Sequence, residues 1–104
     1  MFKHYFISVC VKLFSPIETQ NEQGKAISLI GYYKNFAVAA SSVLAARSVV
    51  EMAIDDGEID WNDSSDKEID LQSFDRTITT HCKDPSKEGI WYESGRSLFP
   101  ATEH

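Results

Sequence analysis

The chain has little of what marks enzymes, metalloproteins and secreted proteins. Its 104 residues include only two cysteines, Cys10 and Cys82, with neither a CxxC pair nor a metal-binding spacing. Its five glycines are scattered and make no GxGxxG or Walker loop, which excludes the usual phosphate-binding loops. We therefore expect no cofactor and no metal, and we expect both cysteines to be reduced and mostly buried.

Long apolar runs are missing as well. Lys3, His4, Ser8 and Lys12 interrupt any hydrophobic region of an N-terminal signal peptide. No stretch reaches the length of a transmembrane helix. These absences favour a cytoplasmic protein without membrane association.

Catalytic signatures are equally scarce. His81 precedes Cys82, but adjacent residues of a helix point about 100° apart and do not easily form a thiolate–imidazole pair. Ser94 lacks the leading glycine of a G-x-S-x-G motif. Glu58 and Asp60 share one strand parity and are the only carboxylate pair that an enzymatic mechanism could use. We expect no enzymatic activity.

Positive charge is in short supply, with 10 Lys and Arg against 16 Asp and Glu and a net charge of −6. Nucleic acid is therefore not expected as a partner, because phosphate binding needs a stripe of Lys and Arg. Anionic membrane surfaces are disfavoured for the same reason. An acidic protein of this kind is steered toward basic proteins, most strongly at low salt.

Negative charge, by contrast, is concentrated in one block. Ten of the sixteen carboxylates lie between Glu51 and Asp75. Close carboxylates repel one another, so the block is either well solvated or used to bind something positive. Trp61 stands in its middle and is a candidate apolar anchor, since tryptophan is common at binding hot spots. The predicted partner-binding residues are Asp55, Asp56, Glu58, Asp60, Trp61, Asp63, Asp66, Glu68 and Asp70.

Calcium is the first ligand to test against this block. An EF-hand loop needs acids at positions 1, 3 and 5, glycine at 6 and glutamate at 12. With Gly57 at position 6, Met52 and Ile54 occupy positions 1 and 3. A loop that starts at Asp60 has Ser65 in place of the glycine. Both registers fail, and no metal site is predicted.

Hydrophobic periodicity predicts the elements. Apolar residues alternate over 2–14 as in a half-buried strand that ends at Ser15-Pro16, and a polar connection follows over 17–24. A second extended region covers 26–40 and is broken or bulged at Gly31. Ser41 or Ser42 caps a helix through Asp55, with Gly57 as the residue just past its end.

The second half of the chain predicts shorter elements. They are a strand at Glu58–Asn62, a polar turn at Asp63–Asp66, a short strand near Glu68–Asp70, a helix over Leu71–Cys82 and a hairpin from Gly89 to Phe99 with Trp91 and Tyr92 on opposite faces. The chain should form a single α+β domain over residues 1–104, with about residues 100–104 as a frayed tail. We expect a mainly antiparallel sheet of about four to five strands, with two helices packed on one face.

Two functions fit this sequence. The first is a non-enzymatic module whose acidic surface captures a basic protein, such as a toxin or nuclease. In size, charge and lack of a catalytic motif the chain resembles bacterial immunity proteins, a likeness of composition that covers no motif. The alternative is a structural or regulatory domain that forms a homodimer or larger homo-oligomer through an exposed sheet edge, with the acids serving only solubility.

Overall fold

Two long strands joined by a tight turn form the centre of the sheet in the computed structural model, which describes residues 2–70 and 87–101. Strand β1 spans Lys3–Gln20 and pairs antiparallel with strand β2, which spans Ala26–Ala40. The side-chain oxygen of Asn21 accepts hydrogen bonds from the backbone N–H groups of Gln23 and Lys25 in the turn. Gly24 has a φ of 78°, a left-handed conformation that glycine adopts without steric cost.

Strand β1 continues past Pro16, so the predicted stop at Ser15-Pro16 is wrong, and the predicted connection over 17–24 is wrong in its first half, which belongs to β1. Pairing runs to Lys12 opposite Gly31 and resumes at Ile17 opposite Leu29. Pro16 has no N–H to donate, but it lies in the unpaired bulge between these points, where proline is tolerated. The irregularity expected at Gly31 is confirmed, because the pairing of β2 with the last strand also shifts between Leu29 and Gly31.

Short strands lie end to end along both long edges of this hairpin. On the free side of β1 lie β3 (Gly57–Ile59) and β4 (Ser65–Ile69), and on the free side of β2 lie β5 (Gly89–Glu93) and β6 (Ser97–Pro100). All these pairings are antiparallel. The result is a six-stranded sheet, rather than the four to five strands predicted.

The gap between β3 and β4 is a 3₁₀ turn at Trp61–Asp63, so the predicted strand Glu58–Asn62 is wrong in its second half. The Asp60 carboxylate accepts a hydrogen bond from the Asn62 N–H, a local side-chain bond that competes with strand pairing. Ser64 bridges the gap, since its hydroxyl donates to the Asp60 carbonyl and accepts from the Cys10 N–H. The predicted turn at Asp63–Asp66 is also misplaced, because β4 already begins at Ser65.

The predicted hairpin from Gly89 to Phe99 contains both of its strands, but they pair with β2 and not with each other. The Ser94 N–H donates to the Asn35 carbonyl, and the Asn35 N–H donates to the Ser94 hydroxyl. These bonds hold the chain along β2 where a hairpin would reverse it. A bulge opposite Ala37 and Val38 brings Trp91 and Tyr92 to the same apolar cluster, so their predicted separation onto opposite faces is wrong.

Helix α1 spans Val43–Ala53, and its predicted cap at Ser41 or Ser42 is confirmed at Ser42, whose hydroxyl accepts from the Ala45 N–H. The predicted helix end is wrong, because Gly57 does not follow the helix but opens β3. A Cβ at Gly57 would collide with the carbonyl oxygen of Lys12. Gly57 is therefore required for the close approach of β3 to β1.

The main core lies between α1 and one face of the sheet. Alternate residues of β1 and β2 point toward the helix and are buried there with Ala46 and Val50: Tyr5, Ile7, Val9, Val11, Tyr32, Phe36, Val38 and Ala40. The opposite face carries a smaller cluster of Ala37, Ala39 and Trp91. Cys10 is buried with a free thiol, as predicted, while Cys82 lies outside the described residues.

The α+β class, with a mostly antiparallel sheet and a helix on one face, is confirmed. Within residues 2–70 and 87–101 there is one helix where two were predicted for the chain. The second, Leu71–Cys82, falls outside the described residues. The tail predicted to fray from about residue 100 is wrong at its start, because Pro100 pairs with Leu29 and the Ala101 N–H donates to the Ser28 carbonyl, while 102–104 lie outside the described residues. In the described part of the chain, no helix is long and apolar enough to cross a membrane.

Candidate functional site

The acidic block follows the free edge of β1, from the end of α1 through β3, the 3₁₀ turn and β4. Because side chains alternate along strands, the block is divided between the two faces of the sheet. Asp66 lies opposite Ile7 and Glu68 opposite Tyr5, both of which point toward α1. Glu58 lies opposite Lys12, which alternates with these core positions and faces the other way.

On the α1 side the carboxylates of β4 are neutralised. Asp66 binds Arg47 through both Nε and a terminal nitrogen, at 2.7 and 2.5 Å from the same oxygen. The side chain of Asp66 is only 19% exposed and that of Arg47 is 38% exposed, so this pair is partly shielded from water. Glu68 has a weaker contact with Lys3 at 3.6 Å, and both side chains are more than half exposed.

Asp56 is neutralised by the other end of the chain. One carboxylate oxygen accepts from the Tyr32 hydroxyl at 2.7 Å, and the other accepts from Arg96 at 3.1 Å. The Arg96 guanidinium also lies 5.2 Å from the centre of the Tyr32 ring. Burial of the phenol, helped by its hydrogen bond to Asp56, raises the pKa of Tyr32 well above its usual range. Arg96 therefore offsets the charge of Asp56, which follows the C-terminal end of α1, and the last turn of α1 contains no basic residue.

Trp61 is held by two residues of α1 that were not among the predicted site residues. Its indole N–H donates to Glu51 at 2.8 Å, and the Arg47 guanidinium lies 4.8 Å from its ring centre. The half-buried ring packs against the main core. A signal for this arrangement is present in the sequence, because residues four apart, such as Arg47 and Glu51, share one face of a helix.

Three other acids of the block have no partner of opposite charge among the described residues. Asp55, Glu58 and Asp63 are exposed and form no ion pair or side-chain hydrogen bond with any described residue. Lys12 lies opposite Glu58 in the ladder, but its ammonium is directed over the Phe99 ring, 5.0 Å from the ring centre. The Asp60 carboxylate accepts a hydrogen bond from the Asn62 N–H. Asp70 follows β4 and is exposed.

Glu58, Asp60 and Asp63 lie close together beside β3. Glu58 is opposite Lys12 on the face away from α1, Asp60 lines a groove with both of them, and Asp63 belongs to the 3₁₀ turn that Asp60 caps. Burial is the main cause that raises the pKa of the Cys10 thiol, Lys12 opposes it, and the charges of Asp63 and Asp60 add to the increase. We call Glu58, Asp60 and Asp63 the open acidic edge.

Two shallow grooves flank β3, one on each side of the strand. The larger, about 340 Å³, is lined by Glu51, Ile54, Gly57, Glu58, Ile59 and Trp61. The smaller, about 280 Å³, is lined by Lys12, Glu58, Ile59 and Asp60. Glu58 and Ile59 contribute to both, so β3 forms the ridge between two acidic depressions.

The described residues contain no group of three His, Cys, Asp or Glu side chains placed to hold a metal ion. The His81–Cys82 pair considered above lies outside those residues. Comparison with protein-family models, with curated proteins and with solved structures gives no match to this chain. Any assignment of function therefore rests on the geometry of the acidic edge.

Proposed function

We propose that the protein is a non-enzymatic binding module that captures a basic protein through the open acidic edge. The observation that supports this most directly is the division of the acidic block. Asp56 and Asp66 are each bound by an arginine, whereas Glu58 and Asp63 meet no positive charge among the described residues. The unpaired carboxylates can bind a cationic partner without breaking any contact of the folded protein.

Electrostatics favours such a partner in two ways. A net charge of −6 attracts basic proteins at long range, and steered association reaches about 10⁸–10⁹ M⁻¹s⁻¹ at low salt. At short range, a lysine or arginine that contacts Glu58 or Asp63 relieves the repulsion between neighbouring carboxylates. Binding therefore reduces the electrostatic repulsion between carboxylates that is present in the free protein.

A basic toxin or nuclease is the partner class that fits this speed, because a harmful protein must be captured before it acts. The likeness to bacterial immunity proteins in size and charge agrees with this choice, as analogy. A cytoplasmic location belongs to the same proposal. Five of the residues predicted from the sequence would then have separate roles, with the open acidic edge in contact with the partner and the arginine-bound Asp56 and Asp66 stabilising the fold.

Affinity capture with a charge-reversed variant tests this proposal. The tagged protein and its Glu58→Lys/Asp63→Lys variant are incubated with lysate of the source cells at low and at high salt. We expect the wild type to retain a basic protein stoichiometrically at low salt, and the variant to lose it. Glu22→Lys/Glu88→Lys is the matched control, since it makes the same charge change at two exposed acids that form no ion pair or side-chain hydrogen bond with any described residue.

Equal loss of the partner in both double variants would show that only net charge matters, and would contradict a defined site. Recovery of nothing but the protein itself would favour the homo-oligomer, in which the acids serve solubility. Sedimentation of the purified protein then decides whether it self-associates.

A further inference from the structure

The outer edge of β3 carries backbone groups that no described strand pairs. The Phe14 N–H donates to the Asp56 carbonyl, and the Asp60 N–H donates to the Cys10 carbonyl. Because alternate residues of an antiparallel strand direct their backbone groups to the same side, Glu58 shares the ladder with Lys12. The N–H and C=O groups of Gly57 and Ile59 therefore point away from β1. Gly57 is buried and Ile59 is only partly buried, so another strand could bond chiefly to the N–H and C=O groups of Ile59.

The two grooves stand where the side chains of an added strand would go. Successive residues of a strand point to opposite faces, so a segment paired to β3 would place alternate side chains in the larger and the smaller groove. Peptides that extend a sheet in this way gain affinity from backbone hydrogen bonds and specificity from such alternating pockets. A groove on each side of one unpaired edge is the arrangement that this mode of binding requires.

The lining of the grooves indicates the chemistry of the added segment. Ile54, Ile59 and Trp61 give the larger groove an apolar surface, with Glu51 and Glu58 also among its lining residues. The smaller groove has Glu58 and Asp60 against the single cation Lys12, whose ammonium is directed toward Phe99. Lysine and arginine suit both, because their aliphatic stems pack on apolar surface while their charged ends reach carboxylates.

We propose that the basic partner is bound through an extended segment that adds as a strand to the outer edge of β3, with alternate side chains in the two acidic grooves. This inference rests on the proposed capture function and specifies how the partner is held. β3 has only three residues, so few backbone bonds form and the charges supply a large part of the affinity.

N-methylated peptides separate strand addition from attraction by charge alone. The probe is a capped seven-residue peptide of alternating lysine and valine, prepared unmodified, with all valines N-methylated, and with all lysines N-methylated. All three forms carry the same charge, but each methylated form lacks the N–H groups along one of its edges. We expect one methylated form to bind about ten-fold or more weakly than the other, because only one set of N–H groups faces β3.

Amide exchange locates the contact. With saturating unmodified peptide, the Ile59 N–H should exchange with solvent about ten-fold or more slowly, since it becomes hydrogen-bonded. The Ile59→Pro variant removes this donor without breaking a bond to β1, and Ile59→Ala controls for the lost side chain. We expect the proline variant to bind the peptide more weakly than the alanine variant.

Equal binding of all three peptides, with no change at Ile59, would overturn strand addition. If the Glu58→Lys/Asp63→Lys variant then still lost its partner from lysate, the capture function would stand and only the mode of binding would be wrong. Failure of the charge-reversed variant to lose any partner would overturn the capture function itself. Should Ile59→Pro not fold, the peptide series alone decides the question.

Discussion

Along the edge formed by β3 and β4, carboxylates are bound by arginine on one face of the sheet and lack such a partner on the other. On the α1 side, Asp66 is bound by Arg47, and at the nearby end of the helix Asp56 is bound by Arg96 and Tyr32. On the other side, Glu58 has no cation among the described residues, and neither has Asp63 in the adjoining 3₁₀ turn. Carboxylates from one short stretch of chain thus belong to two different electrostatic environments.

This difference shows that a run of acids in a sequence does not define a charged surface. Arg47 lies 19 residues from Asp66, and Arg96 lies 40 residues from Asp56, so folding alone brings these partners together. A bound carboxylate contributes to the stability of the folded state, whereas an unpaired one only repels its neighbours. The same mutation should therefore affect folding on one face and binding on the other.

The largest expected effect is at Asp66. Replacement by alanine should lower the free energy of unfolding by about 1–2 kcal/mol, because Arg47 loses the carboxylate that binds two of its nitrogens. The loss is smaller than for a fully buried pair, since Arg47 is 38% exposed and water partly replaces its partner. Urea denaturation followed by circular dichroism measures the change.

Glu58→Ala is the matched control for this comparison, because it removes one carboxylate from the same edge without removing an ion pair. We expect its free energy of unfolding to stay within about 0.5 kcal/mol of the wild-type value. If both variants lost the same stability, the division into bound and open acids would have no energetic meaning.

A smaller effect is expected from Tyr32 at alkaline pH. Its pKa is raised in the folded protein by burial and by Asp56, whereas the unfolded chain ionises near pH 10. The stability that this shift contributes is fully present below about pH 10 and is lost as the pH rises further, by at most about 1.4 kcal/mol per pH unit. Denaturation between neutral pH and pH 11 should therefore show a steeper alkaline decline for the wild type than for Tyr32→Phe. Parallel declines would contradict the prediction.

Local patterns in the sequence were sufficient to predict the class of the fold and several of its elements. Alternation over 2–14 and 26–40 located the two central strands, and Ser42 marked the start of α1. The errors are at positions where long-range pairing decides the outcome. Pro16 was expected to end β1, but the strand resumes beyond it because Ile17 pairs with Leu29. Likewise, the last two strands do not form a hairpin, because bonds between Ser94 and Asn35 hold them along β2.

The candidate site was predictable only in part. Its acids and Trp61 were identified by charge density, a property of neighbouring residues in the chain. Which acids remain unpaired was not predictable, because this depends on where Arg47 and Arg96 lie in the folded protein. The unpaired edge of β3 was also not predictable, because Gly57 was interpreted as the residue that follows the helix. A glycine that permits the close approach of two strands and one that ends a helix look the same in the sequence.

The smallest expected change in the free energy of unfolding comes from neutralising the open acidic edge. Its sign should be opposite to that of the change caused by Asp66→Ala, or the change should be absent. Glu58→Gln/Asp63→Asn should leave the free energy of unfolding unchanged or raise it by up to about 0.5 kcal/mol, since it removes only repulsion. Any gain should be largest at low ionic strength and vanish near 1 M salt, where the Debye length is about 3 Å. Urea denaturation at both salt concentrations measures this, with Glu22→Gln/Glu88→Gln, which removes two exposed charges elsewhere, as a control for net charge. A clear loss of stability would mean that Glu58 or Asp63 supports the fold, and it would then be unsuited to bind a partner without cost.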